Sequence, residues 1–563
     1  MVKLHLLLVS FRSSLFLCLL APVLLTGCGG CHESTTPKPD QSNAKAEAEQ
    51  YREELFTYAI ANLNRLEEFS SAEAIRKNLE RFDPRNQPKL GQTDTPIDPL
   101  VAAWPEPKMF RQIIDRLNQW LHAQTPPPDW KLDPMVASLP RELLELPQMK
   151  NLDQMRLSRF DGHALQEAVW FRDVSLWARG NVLDDLEQAQ SLFDWMVRNI
   201  QLEADDPKRI PLFPWETLLF GRGTAAERSE VFILLVRQLG LDAAMLAVEA
   251  EPQADEDGQK TLRPWCVGVL IEGDVYLFDP VLGLPIPGPN GAVIKEGGRL
   301  SINPATLAQA ATDAKLLRYL DVGDTHVYGI EEADLAHVVA FVEASPPNLS
   351  RSMELLESRL AGKQRMVLTT SPTAQSEHWK AAAHIAETRL WTRPFETIRR
   401  RSKLTPEEVR ARLIAMLPFY IIPSAPLYHG RMLQIKGQFI GQDGATRYYQ
   451  MARPSNQELK ASSAHPLEKI MSLRGKQDAS YWSGLIAYQR ENYSAAIDYF
   501  TQRTLLAYPN GPWTNGARYN LARAYEASGQ TERAILQYGS NAASPGYHGS
   551  LLRAKWLGEL SEK

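Results

Sequence analysis

The side chains that could perform covalent chemistry lie in the middle of the chain. Cys266 is the only cysteine after Cys31, and Ser229 is a hydroxyl near the start of an apolar stretch. Either group would need a histidine base and an acid that orients it in order to attack a carbonyl carbon. The sequence has no histidine between His163 and His326. We therefore predict no complete nucleophile and base pair here, and we expect Cys266 to be a buried structural thiol.

Three charged residues in the same region have simpler interpretations. Glu227 and Arg228 could form a charged site at the start of a helix, but we predict an exposed ion pair. Asp279 ends an apolar stretch and precedes Pro280, so we expect its carboxylate to bind backbone amides rather than a ligand. The chain has four cysteines in all, which excludes a disulfide-rich scaffold and a cysteine-rich zinc site. We predict no metal and no cofactor.

Two helices are predicted in front of the strands that carry Cys266 and Asp279. Residues 184–200 have an apolar stripe that follows Asp184, a suitable N-cap residue. The second helix is predicted to begin near Thr224 and to end at Gly240, a typical C-terminal stop. The apolar residues between those two positions face inward.

Three strands are predicted after the helices. Residues 243–248 form the first, and an acidic stretch then predicts an exposed loop. Residues 265–271 and 274–278 are separated by Glu272 and Gly273, which indicates a hairpin. Helices followed by antiparallel strands predict an α+β domain.

This order of elements resembles the transglutaminase-like branch of the papain-like thiol enzymes. The motifs that carry the resemblance are a glycine turn, a buried helix that ends in Arg237-Gln238-Leu239-Gly240, and a strand that ends in Asp279-Pro280. It covers roughly residues 184–288. The resemblance implies a cysteine nucleophile at the start of the helix, a histidine base at the start of a strand and an orienting aspartate at the end of the next strand.

The residues at the two principal catalytic positions do not fit that chemistry. Registering Arg237 and Gly240 on the family's Arg-x-x-Gly places Ala225 at the nucleophile position. Counting back from Asp279 places Trp265 at the histidine position. Neither side chain can attack a carbonyl carbon or accept a proton at neutral pH, and only Asp279 matches. The resemblance therefore implies a degenerate domain, and we predict that its cleft is occluded.

The N-terminus resembles a bacterial lipoprotein signal. Basic residues and an apolar segment lead to Leu25-Thr26-Gly27-Cys28, which is similar to the lipoprotein box. The resemblance implies that residues 1–27 are removed and that a lipid on Cys28 anchors an exported protein at the cell membrane or the outer membrane, facing the periplasm or the exterior. Ordinary secretory cleavage near Gly27 and a retained signal anchor are the alternatives. Residues 28–43 are predicted to be a flexible tether.

The segments on either side of the central domain have mostly helical patterns. Residues 44–156 are predicted to be a helical N-terminal region. Residues 301–475 are predicted to be a mixed, mostly helical region. Within it the patterns indicate a helical stripe at residues 335–342, a short strand at 365–369, a helix after a capping box of Thr405 and Glu408, and a hairpin at 433–449.

A pattern of small and aromatic residues occurs twice after residue 476. The spacings of 3, 9 and 4 residues within each unit resemble the tetratricopeptide repeat. The units are offset by 38 residues, so residues 508–513 are predicted to lengthen the connection. The resemblance implies peptide or protein binding, although the repeats could equally only complete the fold. The residues concerned are Gly484, Ala487, Ala496 and Phe500 in the first unit and Ala522, Tyr525, Ala534 and Tyr538 in the second.

The length and net charge of the chain limit its number of domains and its class of partner. At 563 residues, with a net charge of −5, the chain is too long for one core and lacks the positive surface that nucleic-acid binding requires. We expect an α+β, predominantly helical protein, with a transglutaminase-like domain at residues 157–300 and repeats with a capping helix at 476–563.

The expected function is that of a membrane-anchored, non-catalytic binding or scaffolding protein of the bacterial cell envelope, with a protein or peptide partner. The alternative is a cell-envelope hydrolase or acyltransferase that uses unrecognised residues in the same cleft.

Overall fold

The computed structural model describes residues 41–63, 108–126, 128–254, 260–295, 298–419, 426–461 and 466–562. The chain divides into two compact units, Met1–Tyr51 and Arg52–Lys563, and every strand in the described residues belongs to the second. None of the described helices is both long and apolar enough to span a membrane. Cys28 and the predicted signal and tether up to residue 40 lie outside the described residues.

Helices dominate the described chain, as the α+β, predominantly helical prediction requires. In chain order they are α1 Gln41–Ala61, α2 Lys108–His122, α3 Arg141–Leu144, α4 Arg159–Ala178, α5 Asp185–Asn199, α6 Pro214–Phe220, α7 Ala225–Arg237, α8 Leu307–Thr312, α9 Ala314–Arg318, α10 Arg351–Arg359, α11 Pro372–Ala381, α12 Arg393–Arg401, α13 Pro406–Met416, α14 Pro426–Ile435, α15 Ala445–Met451, α16 Asn456–Ala461, α17 Pro466–Gln489, α18 Tyr493–Asp498, α19 Thr514–Ala527, α20 Thr531–Gly539 and α21 Tyr547–Ser561.

One mixed sheet lies at the centre. Its six strands run in the order β10-β9-β3-β4-β5-β6, and all neighbouring pairs are antiparallel except β10 and β9. Two short pairs, β1 with β2 and β7 with β8, lie outside it. The strands are β1 Gln201–Leu202, β2 Arg222–Gly223, β3 Asp242–Ala254, β4 Lys260–Ile271, β5 Asp274–Asp279, β6 Leu284–Pro285, β7 Pro287–Ile294, β8 Leu300–Pro304, β9 Val338–Val342 and β10 Ile385–Leu390.

Both faces of the sheet are covered, because alternate residues along each strand enter two different cores. In β3, Met245 packs with helices α4, α5 and α7, whereas Leu246 belongs to a second core. In β5, Phe278 lies on the first face, 5.2 Å from the ring of Phe232 in α7. Leu277 lies on the second face, in a core that includes residues from α8, α9, α11 and the last three helices.

The local signals in the central domain are confirmed. Asp184 caps α5 by accepting a hydrogen bond from the Glu187 amide at 2.9 Å. Gly240 has a φ of +82° just after α7, a conformation that glycine adopts without strain. The β4–β5 hairpin turns at Glu272 and Gly273, as predicted.

Three predictions between residues 301 and 475 are wrong. The apolar stretch at 335–342 forms a short 3₁₀ turn and then strand β9 of the main sheet, not a helix. Because this stretch is almost continuously apolar, with His337 as its one polar residue, its pattern cannot separate a buried strand from a buried helix. Residues 365–369 form no strand, and residues 433–449 form the ends of helices α14 and α15 instead of a hairpin. The main sheet therefore continues past the predicted domain boundary at residue 300.

Successive C-terminal helices pack against one another. Helix α18 continues as a π-helix to Leu506, and α19 begins at Thr514, so the lengthened connection lies where it was expected. Gly484 in α17 allows a close approach: a Cβ atom there would lie 2.5 Å from the Phe500 ring. Ala522 and Tyr538 are buried in the core on the second face of the sheet, so the repeats and the central domain share one core.

Candidate functional site

The start of helix α7 is built as the sequence suggests. Thr224 and Glu227 form a reciprocal capping box, in which the Thr224 amide donates to the Glu227 carboxylate at 2.9 Å and the Glu227 amide donates to the Thr224 hydroxyl at 3.3 Å. Ala225 is the first residue of the helix. A methyl group therefore lies where N-terminal amides would stabilise a thiolate, and it has no atom that can act as a nucleophile.

Trp265 and Asp279 are joined by a tyrosine that the sequence did not point to. The indole Nε1 of Trp265 donates to the hydroxyl of Tyr328 at 2.7 Å, and this hydroxyl donates to Asp279 Oδ2 at 2.7 Å. All three side chains are buried. Asp279 also accepts hydrogen bonds from the amides of Val281 and Leu282 at 2.8 and 2.9 Å. The amide-binding role expected for Asp279 is thus present in the structure.

The environment of this chain of hydrogen bonds does not favour proton transfer to a substrate. Burial raises the pKa of Tyr328 well above its ordinary value, and the Asp279 carboxylate raises it further. Burial also raises the pKa of Asp279, although its hydrogen-bond donors oppose that shift. Trp265 is the extra residue in a β-bulge between β3 and β4, and its indole can only donate.

Ala225 takes no part in the hydrogen bonds among Trp265, Tyr328 and Asp279. Helix α7 packs in the core that contains Val267, Val269 and Phe278, whereas Trp265 and Tyr328 belong to the core on the other face of the sheet. The structure therefore brings Trp265 and Asp279 together without Ala225. Because Tyr328 lies 49 residues beyond Asp279 in the sequence, no local pattern could have indicated this contact.

Replacing Tyr328 with phenylalanine should lower the free energy of unfolding by about 1–3 kcal/mol, because a buried carboxylate and a buried indole each lose a partner. Chemical denaturation of the purified chain would measure the change. Tyr319→Phe is the control: this side chain is 40% exposed, and we expect a change within about 0.5 kcal/mol. Equal effects of the two substitutions would contradict the bridging role of Tyr328.

The two remaining candidate nucleophiles are structural in this arrangement. The Cys266 thiol is free and fully buried, and burial raises its pKa, with a further contribution from Asp279. A thiol with a raised pKa is a poor nucleophile at neutral pH. The Ser229 hydroxyl donates to the Ala225 carbonyl at 2.9 Å, within its own helix. His326 contacts its neighbour Thr325 at 3.0 Å in an exposed turn.

The prediction that Glu227 and Arg228 form an exposed ion pair is wrong. Both side chains are buried and bind different partners. Glu227 pairs with Arg209 at 2.6 Å. Arg228 donates to the carbonyls of residues 197, 200 and 280, which lie at the end of α5 and after β5. Arg228 thereby satisfies helix-terminal carbonyls that would otherwise be buried without donors.

Sequence reasoning also missed a polar pocket on helix α7. We call it the glutamate pocket and define it by Glu167 of α4, Glu230 of α7, Glu343 after β9, and His163 of α4, all of which line one cavity of about 50 Å³. The signal that could have found it is Glu230 itself, an acid inside the apolar stretch of α7. Glu343 forms a 2.6 Å ion pair with Arg237, the arginine of the Arg-x-x-Gly motif.

A second, smaller cavity of about 30 Å³ lies where the repeats meet the central domain. Its wall includes Arg228, residues 281–283 after β5, and Tyr481 and Asn520 from the C-terminal helices. The Asn520 side chain donates to the Arg198 carbonyl at 3.0 Å. Ala225, Trp265 and Asp279 line neither of these two cavities.

The eight residues of the repeat pattern lie inside the helix pairs. Seven are buried and one, Tyr525, is half-buried. They build the repeats, so a partner that docks on this segment would contact other side chains. The eight are Gly484, Ala487, Ala496, Phe500, Ala522, Tyr525, Ala534 and Tyr538.

Within the described residues, no group of three or more histidine, cysteine, aspartate or glutamate side chains is placed to hold a metal ion. Comparisons of the chain with protein-family models, with curated proteins and with solved structures found no match.

Proposed function

We propose that this chain is an exported, lipid-anchored protein of the bacterial cell envelope whose degenerate transglutaminase-like domain and tetratricopeptide-like repeats bind or scaffold other proteins without catalysis. The observation that carries the proposal is the buried hydrogen-bonded chain of Trp265, Tyr328 and Asp279. A catalytic histidine and aspartate would have to face a nucleophile and remain open to substrate. Here the indole and the carboxylate bind a third buried side chain, while Ala225 stands at the helix start.

The packing of the repeats supports a binding role over a catalytic one. The C-terminal helices share a core with the sheet, and the Gly516 amide of α19 donates to the side chain of Gln201 in β1 at 2.7 Å. Such packing joins the two segments into one surface. A scaffold needs a rigid surface of this kind, whereas a protease or acyltransferase needs an open cleft.

The anchor is tested by metabolic labelling with an alkyne fatty acid. We expect the wild-type chain to be labelled and Cys28→Ala to lose all label, because Cys28 follows the small residues that admit the signal peptidase. Cys31→Ala is a matched control only three residues away, and it should keep full labelling. Label that survives in Cys28→Ala would refute the anchor.

The absence of catalysis is tested by treating the folded protein with electrophilic probes for thiolates and for activated serines, followed by peptide mass spectrometry. We expect neither Cys266 nor Ser229 to be modified in the folded protein, and only the Cys266 thiol to react once the protein is unfolded. Modification of either residue in the folded protein, abolished by alanine substitution at that position, would favour the hydrolase or acyltransferase alternative. If binding needs no catalysis, the Cys266→Ala variant and the wild type should recover the same proteins in a pulldown from a detergent-solubilised envelope.

A further inference from the structure

The glutamate pocket combines apolar walls with an acidic lining. Its walls are formed by aromatic, aliphatic and proline side chains that include Phe160, Phe213, Trp215, Pro347 and Ile398. A cavity of about 50 Å³ accommodates a few water-sized groups, because a single water molecule needs roughly 10–15 Å³ of such a cavity. An apolar pocket with a few convergent polar groups is the usual form of a small-molecule site.

The arginines near the pocket do not neutralise all three carboxylates. Arg237 is taken up by Glu343, at 2.6 Å. Arg393 lies 3.4 Å from Glu230, and it also approaches Glu227 at 4.0 Å. Glu167 accepts a hydrogen bond from the backbone amide of Trp215 at 2.9 Å and forms no salt bridge within the described chain. The three carboxylates of the pocket therefore outnumber the two arginines that approach them.

The histidine in the pocket is a second, independent indication of a ligand. His163 is only 4% exposed, and neither of its ring nitrogens makes a hydrogen bond of standard geometry among the described residues, although the Gln166 side chain lies close enough to oppose the lowering of its pKa. Its ring stacks on Trp215 at 5.5 Å and packs against Phe110 at 4.8 Å. Burial lowers its pKa to about 3, and Arg159 lowers it as well, so the ring is neutral. A buried neutral imidazole without a partner is a free acceptor and donor that a ligand or water can satisfy.

We propose that the glutamate pocket binds a small primary ammonium ion with a short apolar substituent. The ammonium group faces Glu167 and Glu230, and it can donate a further hydrogen bond to the His163 ring. Its substituent lies against the aromatic and proline walls, where ring faces also attract a cation. The described carboxylates do not converge closely enough to hold a metal ion, which favours an organic cation with three directional donors.

Binding of such a cation is linked to proton release. Burial raises the pKa of Glu230 to about 8; Arg393 opposes this shift, and Glu343 and Glu227 add to it. Burial also raises the pKa of Glu167, to about 8. Both acids are therefore protonated in the empty pocket at neutral pH. A bound ammonium ion stabilises the ionised carboxylate, so the proton leaves the protein for solvent as the cation enters.

The sign of the pH dependence follows from this exchange. Below about pH 8 the cation must displace a proton from Glu230, and its apparent affinity should rise by up to about tenfold per pH unit for each proton released. Above that value the carboxylate is already ionised, and the affinity should level off until the amine itself loses its proton near about pH 10. The other charged groups that face Glu230 are Arg393, Glu343 and Glu227, and the His163 ring stays neutral across this range.

Calorimetric titration of the full-length, detergent-solubilised protein with propylammonium tests the proposal. We expect affinity to rise from about pH 6 to about pH 8, with a proton release that appears when two buffers of different ionisation enthalpy are compared. Propionate and 1-propanol are ligands of the same size without positive charge, and neither should bind. No heat from propylammonium at any pH, or equal binding of 1-propanol, would overturn the proposal.

Two variants and a control locate the site. Glu230→Gln should weaken binding by about tenfold or more at pH 8, as expected for loss of a charge-assisted hydrogen bond, and should remove the part of the pH dependence that Glu230 contributes while leaving the part due to Glu167. Glu167→Gln should also weaken binding of propylammonium. It provides the test of the site if Glu230→Gln fails to fold. Glu396→Gln is the matched control, since this exposed acid lies on α12, a helix that also contributes to the pocket wall. Unchanged binding in both pocket variants would place the site elsewhere and refute the assignment.

Discussion

Replacing Glu216 with glutamine should lower the free energy of unfolding by about 3–5 kcal/mol, because it leaves two buried arginines without their counter-charge. Glu216, in α6, is fully enclosed and pairs with Arg401 of α12 and, at 3.1 Å, with Arg412 of α13. Its carboxylate also accepts the Phe213 amide at 2.9 Å at the start of α6. One acid therefore joins α6 to two consecutive helices that begin more than 170 residues later in the sequence. Its removal leaves the charges of both arginines without a partner.

The pH dependence of this contribution has a definite sign. Burial alone would raise the pKa of Glu216, but Arg401 and then Arg412 outweigh burial and lower it from 4.5 to about 2. The unfolded chain therefore binds a proton at higher pH than the folded chain does. The stabilisation by Glu216 is complete above about pH 4.5 and is lost as pH falls toward about 2, for a total of about 3 kcal/mol.

Urea denaturation of wild type and Glu216→Gln across that pH range would measure both effects. The difference between the two proteins should be largest near neutral pH and should narrow in acid. Glu145→Gln is the control, because Glu145 forms a 2.8 Å pair with Arg141 on an exposed helix turn. Such pairs contribute about 0.5 kcal/mol or less. If Glu216→Gln lowers the free energy of unfolding no more than Glu145→Gln does, the buried network of Glu216 does not stabilise the fold.

The second large effect is expected at Gly549, where the C-terminal helices meet the central domain. A Cβ atom at this position, in α21, would lie 1.8 Å from the carbonyl oxygen of Leu282, in the turn after β5. The obstacle is backbone rather than a flexible side chain, so α21 must move away from the sheet. We expect Gly549→Ala to lower the free energy of unfolding by about 1–3 kcal/mol or more, as overpacked cores do.

Gly539→Ala is a matched control for Gly549→Ala. Gly539 ends the neighbouring helix α20, and a Cβ atom there would meet nothing within 4 Å. Alanine should be neutral or stabilise the helix by up to about 1 kcal/mol. Urea denaturation, with limited proteolysis of residues 476–563, would compare the two variants. If Gly549→Ala leaves both stability and protease resistance unchanged, the repeats do not pack on the Leu282 turn as described.

Features set by neighbouring residues were predictable from the sequence. Asp184 was identified as a cap because its side chain only has to reach an amide three residues away. The β4–β5 turn at Glu272 and Gly273 and the capping box of Thr405 depend in the same way on local geometry, and the amide of Thr405 donates to Glu408 at 2.8 Å. Small residues such as Gly484 likewise indicated where two successive helices approach each other.

Features that depend on distant partners were not predictable. The stretch at 335–342 becomes a strand because β3 offers it an antiparallel partner, although its own pattern fits a helix equally well. Glu227 and Arg228 looked like a surface pair because neighbouring opposite charges usually are one. They are buried because Arg209 and the carbonyls at the end of α5 supply partners for them, and such partners can be read only from the fold.

For the candidate site, the sequence by itself determined that Ala225 and Trp265 have no nucleophilic or basic atom and that no histidine lies between His163 and His326. Those conclusions follow from residue identity alone, since alanine and tryptophan cannot perform the chemistry in any fold. Only the tertiary structure decided what Asp279 binds and where acidic groups gather. Tyr328 reaches Asp279 across 49 residues of sequence, and Glu167, Glu230 and Glu343 line one pocket, because separate segments of the chain pack around one sheet and bring together side chains that no local pattern connects.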